Sequence, residues 1–353
     1  MTQTAPAQQV VGGPTDFNQL PPRIRLLLTV NGKRLSQVVF ALAKLGVADH
    51  LADGPRSVAE LAGAVEADPD ALYRTLRCAA SFGIFTELPD ERFALTPTAE
   101  PLRRDAPDSL REAILYSGEE VAWRPYGGIV HSIQTGRPAF DEIYGVSFWE
   151  YADAHPELAE LFDRAMDQLT GELSSAVLAH LDLSRFDRVM DVGGGRGRFL
   201  AEILVRFPKL RGALFERNEV IASAGAEFDR LGVADRAEIY GGDFFDGVPG
   251  GYDAYLIKQV LHNWSDPQVA KILGRLREAA GDRAQARLFI LEAVVAPANA
   301  WDQAKYLDIE MLVKFGGRER SLAEWVRLIE AAGFELVDTP LPGPASFLEC
   351  RPR

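Results

Sequence analysis

Apolar positions change their spacing partway along the chain. Ile24, Leu27 and Leu28, then Val38, Val39, Leu42 and Leu45, recur at helical intervals and predict a helix pair ending near Leu51. It carries few charges, so it must bury itself somewhere, a second copy of the chain being one candidate. Ser57-Val-Ala-Glu60 has the form of a capping box, with Leu61, Val65 and Leu72 continuing the helical pattern. Asp68-Pro-Asp70 opens another helix through Leu72, Leu76 and Ala80. Phe82–Thr86 and Arg92–Thr96 then read as two short strands around Pro89-Asp90-Glu91. Helix, turn, helix, hairpin is the order of a winged helix. Leu110 to Leu181 reads as helices rich in aromatics, among them Tyr116, Trp149 and Phe162, with Leu158, Phe162 and Met166 on one helix face.

From about Phe186 strands and helices alternate. Val189, Met190 and Val192 form an apolar run that breaks into glycines and resumes at helical spacing through Phe199, Leu200, Ile203 and Leu204. Gly212–Glu216, Ala237–Tyr240, Ala254–Val260 and Arg287–Val295 predict four further strands. Such alternation implies an α/β fold, a Rossmann-like parallel sheet with helices on both faces that binds its ligand at the carboxyl ends of the strands. The expected organisation is a disordered tail over 1–18, a mostly α winged-helix dimerisation domain over 19–105, a helical linker and substrate-lining region over 106–184, and a catalytic domain over 185–353.

Composition narrows the class. The 353 residues, 47% hydrophobic and 25% charged, suffice for two cored domains. A net charge of −13 argues against nucleic acid or an anionic membrane as partner. Glu60, Glu66, Asp68 and Asp70 crowd the segment where a DNA-reading helix would need Arg and Lys, which disfavours a ligand-responsive DNA-binding regulator. Two cysteines, Cys78 and Cys350, with no metal-ligand spacing, suggest neither a disulfide framework nor a zinc site. Met1–Gly13 has neither a basic start nor an apolar core, and no run reaches transmembrane length, so the expected location is the cytoplasm.

The chemistry centres on Arg188-Val-Met-Asp-Val-Gly-Gly-Gly-Arg-Gly-Arg. A dinucleotide fingerprint needs a third glycine where this chain has Arg198, which disfavours a nicotinamide dehydrogenase. Asp191 would repel a pyrophosphate, so a cationic ligand without phosphate, such as S-adenosylmethionine, suits the turn better. Glu216 ends the second strand about twenty residues later, where a ribose-binding carboxylate sits. Asp243 is placed to accept from an adenine amino group, with Phe244 against the ring. His262 stands at a strand's carboxyl end before a helix beginning near Ser265-Asp266-Pro267. A neutral imidazole there would take the proton of a phenol, whose ordinary pKa is about 10. Glu292 and Glu319 are the candidates to fix its tautomer.

Met190-Asp-Val-Gly-Gly-Gly-Arg-Gly, Gly242-Asp-Phe-Phe and Lys258-Gln-Val-Leu-His-Asn-Trp-Ser-Asp together resemble the class I S-adenosylmethionine-dependent O-methyltransferases, in particular the caffeate and hydroxyindole O-methyltransferase family and its bacterial natural-product branch. The resemblance covers nearly the whole chain. It implies a homodimer built through the N-terminal domain, a small aromatic acceptor, S-adenosyl-L-homocysteine as product and no metal. It also implies His262 as general base flanked by Glu292 and Glu319, and Glu216 on the ribose. Gly193, Asp243, Phe244 and Lys258 match cofactor positions, with Asp191, Gly195 and Arg217 completing that set. Tyr116, Phe162 and Met166 match substrate-lining ones, joined by Trp149 and Asn263. Plant members usually carry Asp where this chain has Glu216 and Asn263. Some relatives have become decarboxylases or hydroxylases; the retained His262 favours methyl transfer.

Overall fold

The computed structural model describes residues 20–221, 224–339 and 346–353; the tail expected over 1–18 lies outside them. Two compact units result. The first runs through Trp123 and includes Arg164–Gln168; the second comprises Arg124–Asp163 and Leu169–Arg353.

In the first unit the helix pair resolves differently from the expectation. One continuous helix runs from Pro22 to Lys44, and a single turn, Val47–His50, follows the left-handed Gly46. The polar stretch Asn31–Ser36 does not break the helix, because no proline interrupts its backbone hydrogen bonds. Only Leu42 and Ala43 of this helix are buried, whereas Leu26 and Val30 are 66% and 60% exposed. Ser57 and Glu60 close the capping box of helix Val58–Ala64. Asp68 caps helix Pro69–Ser81 by accepting from the Ala71 N–H at 2.8 Å. Strands β1 (Arg56–Ser57), β2 (Phe85–Leu88) and β3 (Arg92–Leu95) form a small antiparallel sheet in the order β1-β3-β2. Phe82, expected in a strand, instead ends the preceding helix, and Gly83 turns the chain with φ of +73°. Leu61, Leu72, Leu76, Phe85 and Phe93 make the core of this winged helix.

The second unit is built on a seven-stranded sheet: β4 (Arg188–Val192), β5 (Arg211–Glu216), β6 (Ala237–Gly241), β7 (Ala254–Lys258), β8 (Arg287–Leu291), β9 (Phe334–Asp338) and β10 (Leu348–Pro352), ordered β6-β5-β4-β7-β8-β10-β9. The first five are parallel; β10 runs antiparallel to both β8 and β9. Strand order reverses between β4 and β7, which opens a crevice at their carboxyl ends. Alternate residues face opposite layers. Met190, Val192, Tyr255 and Ile257 pack with Val269, Ile272, Leu276, Trp325 and Ile329 of helices Asp266–Ala280 and Leu322–Ala331. Val189, Ala254, Leu256 and Phe289 face Phe199, Leu200 and Leu204 of helix Arg198–Arg206.

Gly212 of β5 lets that helix sit close, since a Cβ there would lie 2.7 Å from Leu200 Cδ1 and 3.2 Å from Leu204 Cδ2. Gly212→Ala should therefore overpack the layer beneath the glycine turn. The expected cost is about 1–3 kcal/mol, read as a lower denaturant midpoint with unchanged slope; a midpoint equal to wild type would refute this packing.

Candidate active site

The crevice is shaped first by backbone. After β4 the chain turns through Gly193, Gly195 and Gly197, with φ of +71°, +57° and +82°. These glycines do different work. A Cβ on Gly193 would lie 2.8 Å from Val260 Cγ2, and one on Gly197 2.8 Å from Phe228 Cζ, so both are required by the protein's own packing. One on Gly194 would strike the Asp191 carboxylate. Around Gly195 nothing lies within 4 Å of the added carbon, so this residue faces open space. It is the point at which a ligand can approach the backbone.

Asp191 lies beneath the turn and is fully buried. Its register partners are Leu214 and Leu256, so its carboxylate enters an apolar layer and neither oxygen accepts a hydrogen bond. Burial raises its pKa to about 7; the Lys258 ammonium opposes the rise and Glu216 adds to it. Glu216 accepts from the Gly195 N–H at 3.0 Å and the Arg217 N–H at 2.8 Å, which pins its carboxylate beside the turn. Arg217 pairs with Asp153 at 2.8 Å, its guanidinium 5.8 Å from the Trp149 ring. Asp243 accepts from the Phe245 N–H at 2.8 Å, and the Phe244 ring stands edge-on to Phe245 and Trp264. Lys258, ending β7, sits over Phe199.

The second cluster follows β7. Gln259 takes φ of +54°, a conformation rare for a side-chain-bearing residue, and it kinks the chain into the one-turn helix Leu261–Asn263. Glu292, directly after β8, holds that turn: its Oε1 accepts the N–H groups of Val260, Leu261 and His262 at 3.0, 2.7 and 3.3 Å. His262 Nδ1 lies 2.7 Å from Glu319 Oε1 and 3.6 Å from Glu292 Oε2. A carboxylate can only accept, so Nδ1 carries the hydrogen and Nε2 is left as the basic nitrogen. The two glutamates thus divide the work, Glu319 fixing the tautomer and Glu292 the backbone. Glu319 is held in turn by its own N–H, donated to Asp308 Oδ1 at 2.7 Å.

All three members of this cluster are buried. Burial alone would depress the His262 pKa, but the charges of Glu292 and Glu319 outweigh it and raise it to about 8. Burial also raises Glu292, against the pull of His262 and the backbone donors. Donor atoms of His262, Glu292 and Glu319 lie within 4.8 Å of one another, a spacing open to a cation, yet the Nδ1 position is already used by a hydrogen bond.

Of the expected substrate-lining residues, Trp149 and Phe162 come together, ring centroids 6.0 Å apart, with Phe148 and Phe315 completing an aromatic wall. Trp149 stacks on Trp264 at 6.3 Å, next to Asn263. Tyr116, buried, and Met166 belong to the first unit. Sequence reasoning did not single out Asp308, Phe315 or Trp264; the last, inside the quoted Lys258–Asp266 motif, was the one with a signal.

Comparison with known proteins agrees with this geometry. Residues 126–335 match an O-methyltransferase domain and residues 27–105 an O-methyltransferase dimerisation domain. The phenazine O-methyltransferase PhzM of Lysobacter antibioticus is 38% identical over 93% of this chain and 95% of its own. The 8-amino-8-demethylriboflavin N,N-dimethyltransferase of Streptomyces davaonensis is 37% identical over 90% and 92%. Among solved structures, the O-methyltransferase NcsB1 of neocarzinostatin biosynthesis, in complex with S-adenosylmethionine and 2-hydroxy-5-methyl naphthoic acid, superposes with a TM-score of 0.78 at 34% identity, over 90% and 96% of the two chains. With its Rossmann-like sheet, glycine turn and winged-helix unit, the chain is a class I methyltransferase and belongs to the S-adenosylmethionine-dependent O-methyltransferase family. S-adenosylmethionine is its cofactor.

His262 should titrate near pH 8 when its ring is followed by NMR. Glu319→Gln removes an anion that stabilises the imidazolium, so the titration should move to lower pH; an unmoved titration would contradict the pairing at Nδ1.

Proposed function

We propose that this enzyme methylates a hydroxyl on a small aromatic secondary metabolite, with His262 as general base. The observation that carries this reading is the His262–Glu319 pair, which leaves Nε2 basic at the carboxyl edge of the sheet, on a residue two positions before Trp264, whose ring stacks on Trp149. The aromatic wall of Trp149, Phe162 and Phe315 suits a flat acceptor. Relatives named for phenazine, for 3-amino-4-hydroxybenzoate and for a dihydroxynaphthoate acceptor support that class.

The residues present fit the cofactor. An unpaired buried carboxylate at Asp191 answers a cation, Gly195 offers an open approach, and Glu216 presents a fixed carboxylate for the ribose hydroxyls. Asp243, Phe244 and Lys258 are assigned to the adenosine, and Arg217 holds Glu216 in place while pairing with Asp153. When bound, the cofactor supplies an electrophilic methyl group on a sulfonium. His262 Nε2 would take the proton of the acceptor hydroxyl as its oxygen receives that methyl group, S-adenosyl-L-homocysteine being the product released. The resulting imidazolium is stabilised by Glu319 and Glu292. Activity therefore requires neutral His262 and should rise with pH through about 8.

The exposed apolar face of helix Pro22–Lys44 belongs to the homodimer interface that the dimerisation domain implies. No helix among the described residues is long and apolar enough to cross a membrane, and we place the enzyme in the cytoplasm.

His262→Ala should lower kcat by about 10²–10⁴ while leaving cofactor binding nearly intact. Mass spectrometry of reactions with a panel of phenolic acceptors reads it, as a gain of one methyl with equimolar S-adenosyl-L-homocysteine. Loss of carboxyl or gain of oxygen would point to a decarboxylase or hydroxylase instead. A second expectation concerns Asp191. Its ionised form favours a cation, so affinity for S-adenosylmethionine should increase as pH rises through about 7. Asp191→Asn should weaken binding and flatten that dependence; a dependence retained in the variant would remove Asp191 from the cofactor site.

A further inference from the structure

Arg320 is one of the largest wholly buried side chains of the protein, and neither the glycine turn nor the base uses it. Four of its guanidinium hydrogen bonds go to one short segment. Nη1 donates to the Leu261 carbonyl at 3.2 Å, and Nη2 to the Trp264 carbonyl at 2.8 Å. Nε and Nη2 both reach Asp266 Oδ1, at 2.9 and 2.8 Å. These three acceptors bracket His262. The same residue is fixed from its own side: Nη1 also donates to the Arg318 carbonyl at 3.1 Å, the backbone carbonyl accepts from the Val295 N–H at 2.9 Å, and the guanidinium lies 5.1 Å from the Trp325 ring. Its neighbour in sequence is Glu319.

The backbones press together at the same place. The Arg318 N–H donates to the His262 carbonyl at 2.8 Å. Gly317 lies so close to the His262–Trp264 turn that any Cβ would overlap the His262 carbonyl. One turn supplies the imidazole, the other the carboxylate, and the guanidinium joins them.

We propose that Arg320 is a positioning residue for methyl transfer, its buried guanidinium locking the Leu261–Asp266 turn to the Arg318–Arg320 segment and so setting the hydrogen bond between His262 and Glu319. The proposal rests on His262 as base only for its effect on turnover; the hydrogen bond itself exists in the free protein. The charge has a second effect, because Arg320 opposes the two glutamates and lowers the His262 pKa relative to what they alone would give. The ionisable groups facing the imidazole from the packed elements are Glu292, Glu319 and Arg320, with Asp308 behind Glu319.

A lysine keeps the charge and loses the fork of donors; a methionine loses both. Arg320→Lys should lower kcat about tenfold or more, since small misplacements at a reacting centre are costly, with affinity for S-adenosylmethionine near wild type. Arg320→Met should lower kcat further and move the His262 titration, followed by NMR in the cofactor-free protein, to higher pH. Asp266→Asn, at a half-exposed site, should lower kcat by a few fold and serves as the test if both Arg320 variants fail to fold. Wild-type kcat and an unmoved His262 titration in Arg320→Met, or wild-type kcat in Asp266→Asn where Arg320 variants do not fold, would overturn the proposal. So would a fall in kcat matched by an equal loss of cofactor affinity, which marks general disruption. If Arg320→Lys, which keeps the charge, moves the His262 titration while His262→Ala turns over normally, the positioning stands and the base assignment fails.

Discussion

Two carboxylates share one buried imidazole, and most of the second unit serves to make that arrangement tolerable. Removing charges from water is expensive unless hydrogen bonds and opposite charges replace the lost hydration. Here the replacements are explicit. Three backbone N–H groups converge on Glu292 Oε1, and the imidazole N–H meets Glu319. A buried guanidinium stands one residue further on. These partners come from three places distant in sequence: the turn after β7, the residue after β8 and the segment before helix Leu322–Ala331. The sheet order brings them to one edge, because β7 and β8 are neighbours and Val294 bridges to Arg320. The fold positions the site by placing strand ends, and the strand ends position side chains through backbone donors.

Much of this is legible in the sequence because it is written in local signals. Burial at consecutive positions in β4 and β7 goes with the apolar stretches Val189-Met190 and Ala254–Ile257, and the break into glycines marks where β4 ends. Capping boxes fix helix starts at Ser57 and Ser265 from residues four positions apart or fewer. The antiparallel pair β9 and β10 carries a weaker signal. Leu348-Glu-Cys-Arg-Pro alternates charged with apolar residues at the antiparallel margin of the sheet, so it lacks the continuous apolar run that reveals a doubly covered parallel strand.

The site divides along the same line. His262, Glu216 and the glycines stand at predictable strand ends. Which glutamate takes which part depends on contacts across some thirty and sixty residues of sequence, and no spacing rule encodes them. Arg320 and Lys314 look like ordinary surface cations on paper, yet both are buried. The glycine turn shows the converse. Its residues look equivalent as a motif, whereas Gly193, Gly194 and Gly197 satisfy internal packing and Gly195 alone faces open space.

Asp191 links the stability of the protein to pH. An acid held in an apolar layer without a partner costs folding free energy as pH rises toward its pKa of about 7, because ionising it there is unfavourable. A ligand that binds only the folded chain adds stability in proportion to its occupancy. The cofactor-free chain is the more easily unfolded form, and the one exposed first to proteases.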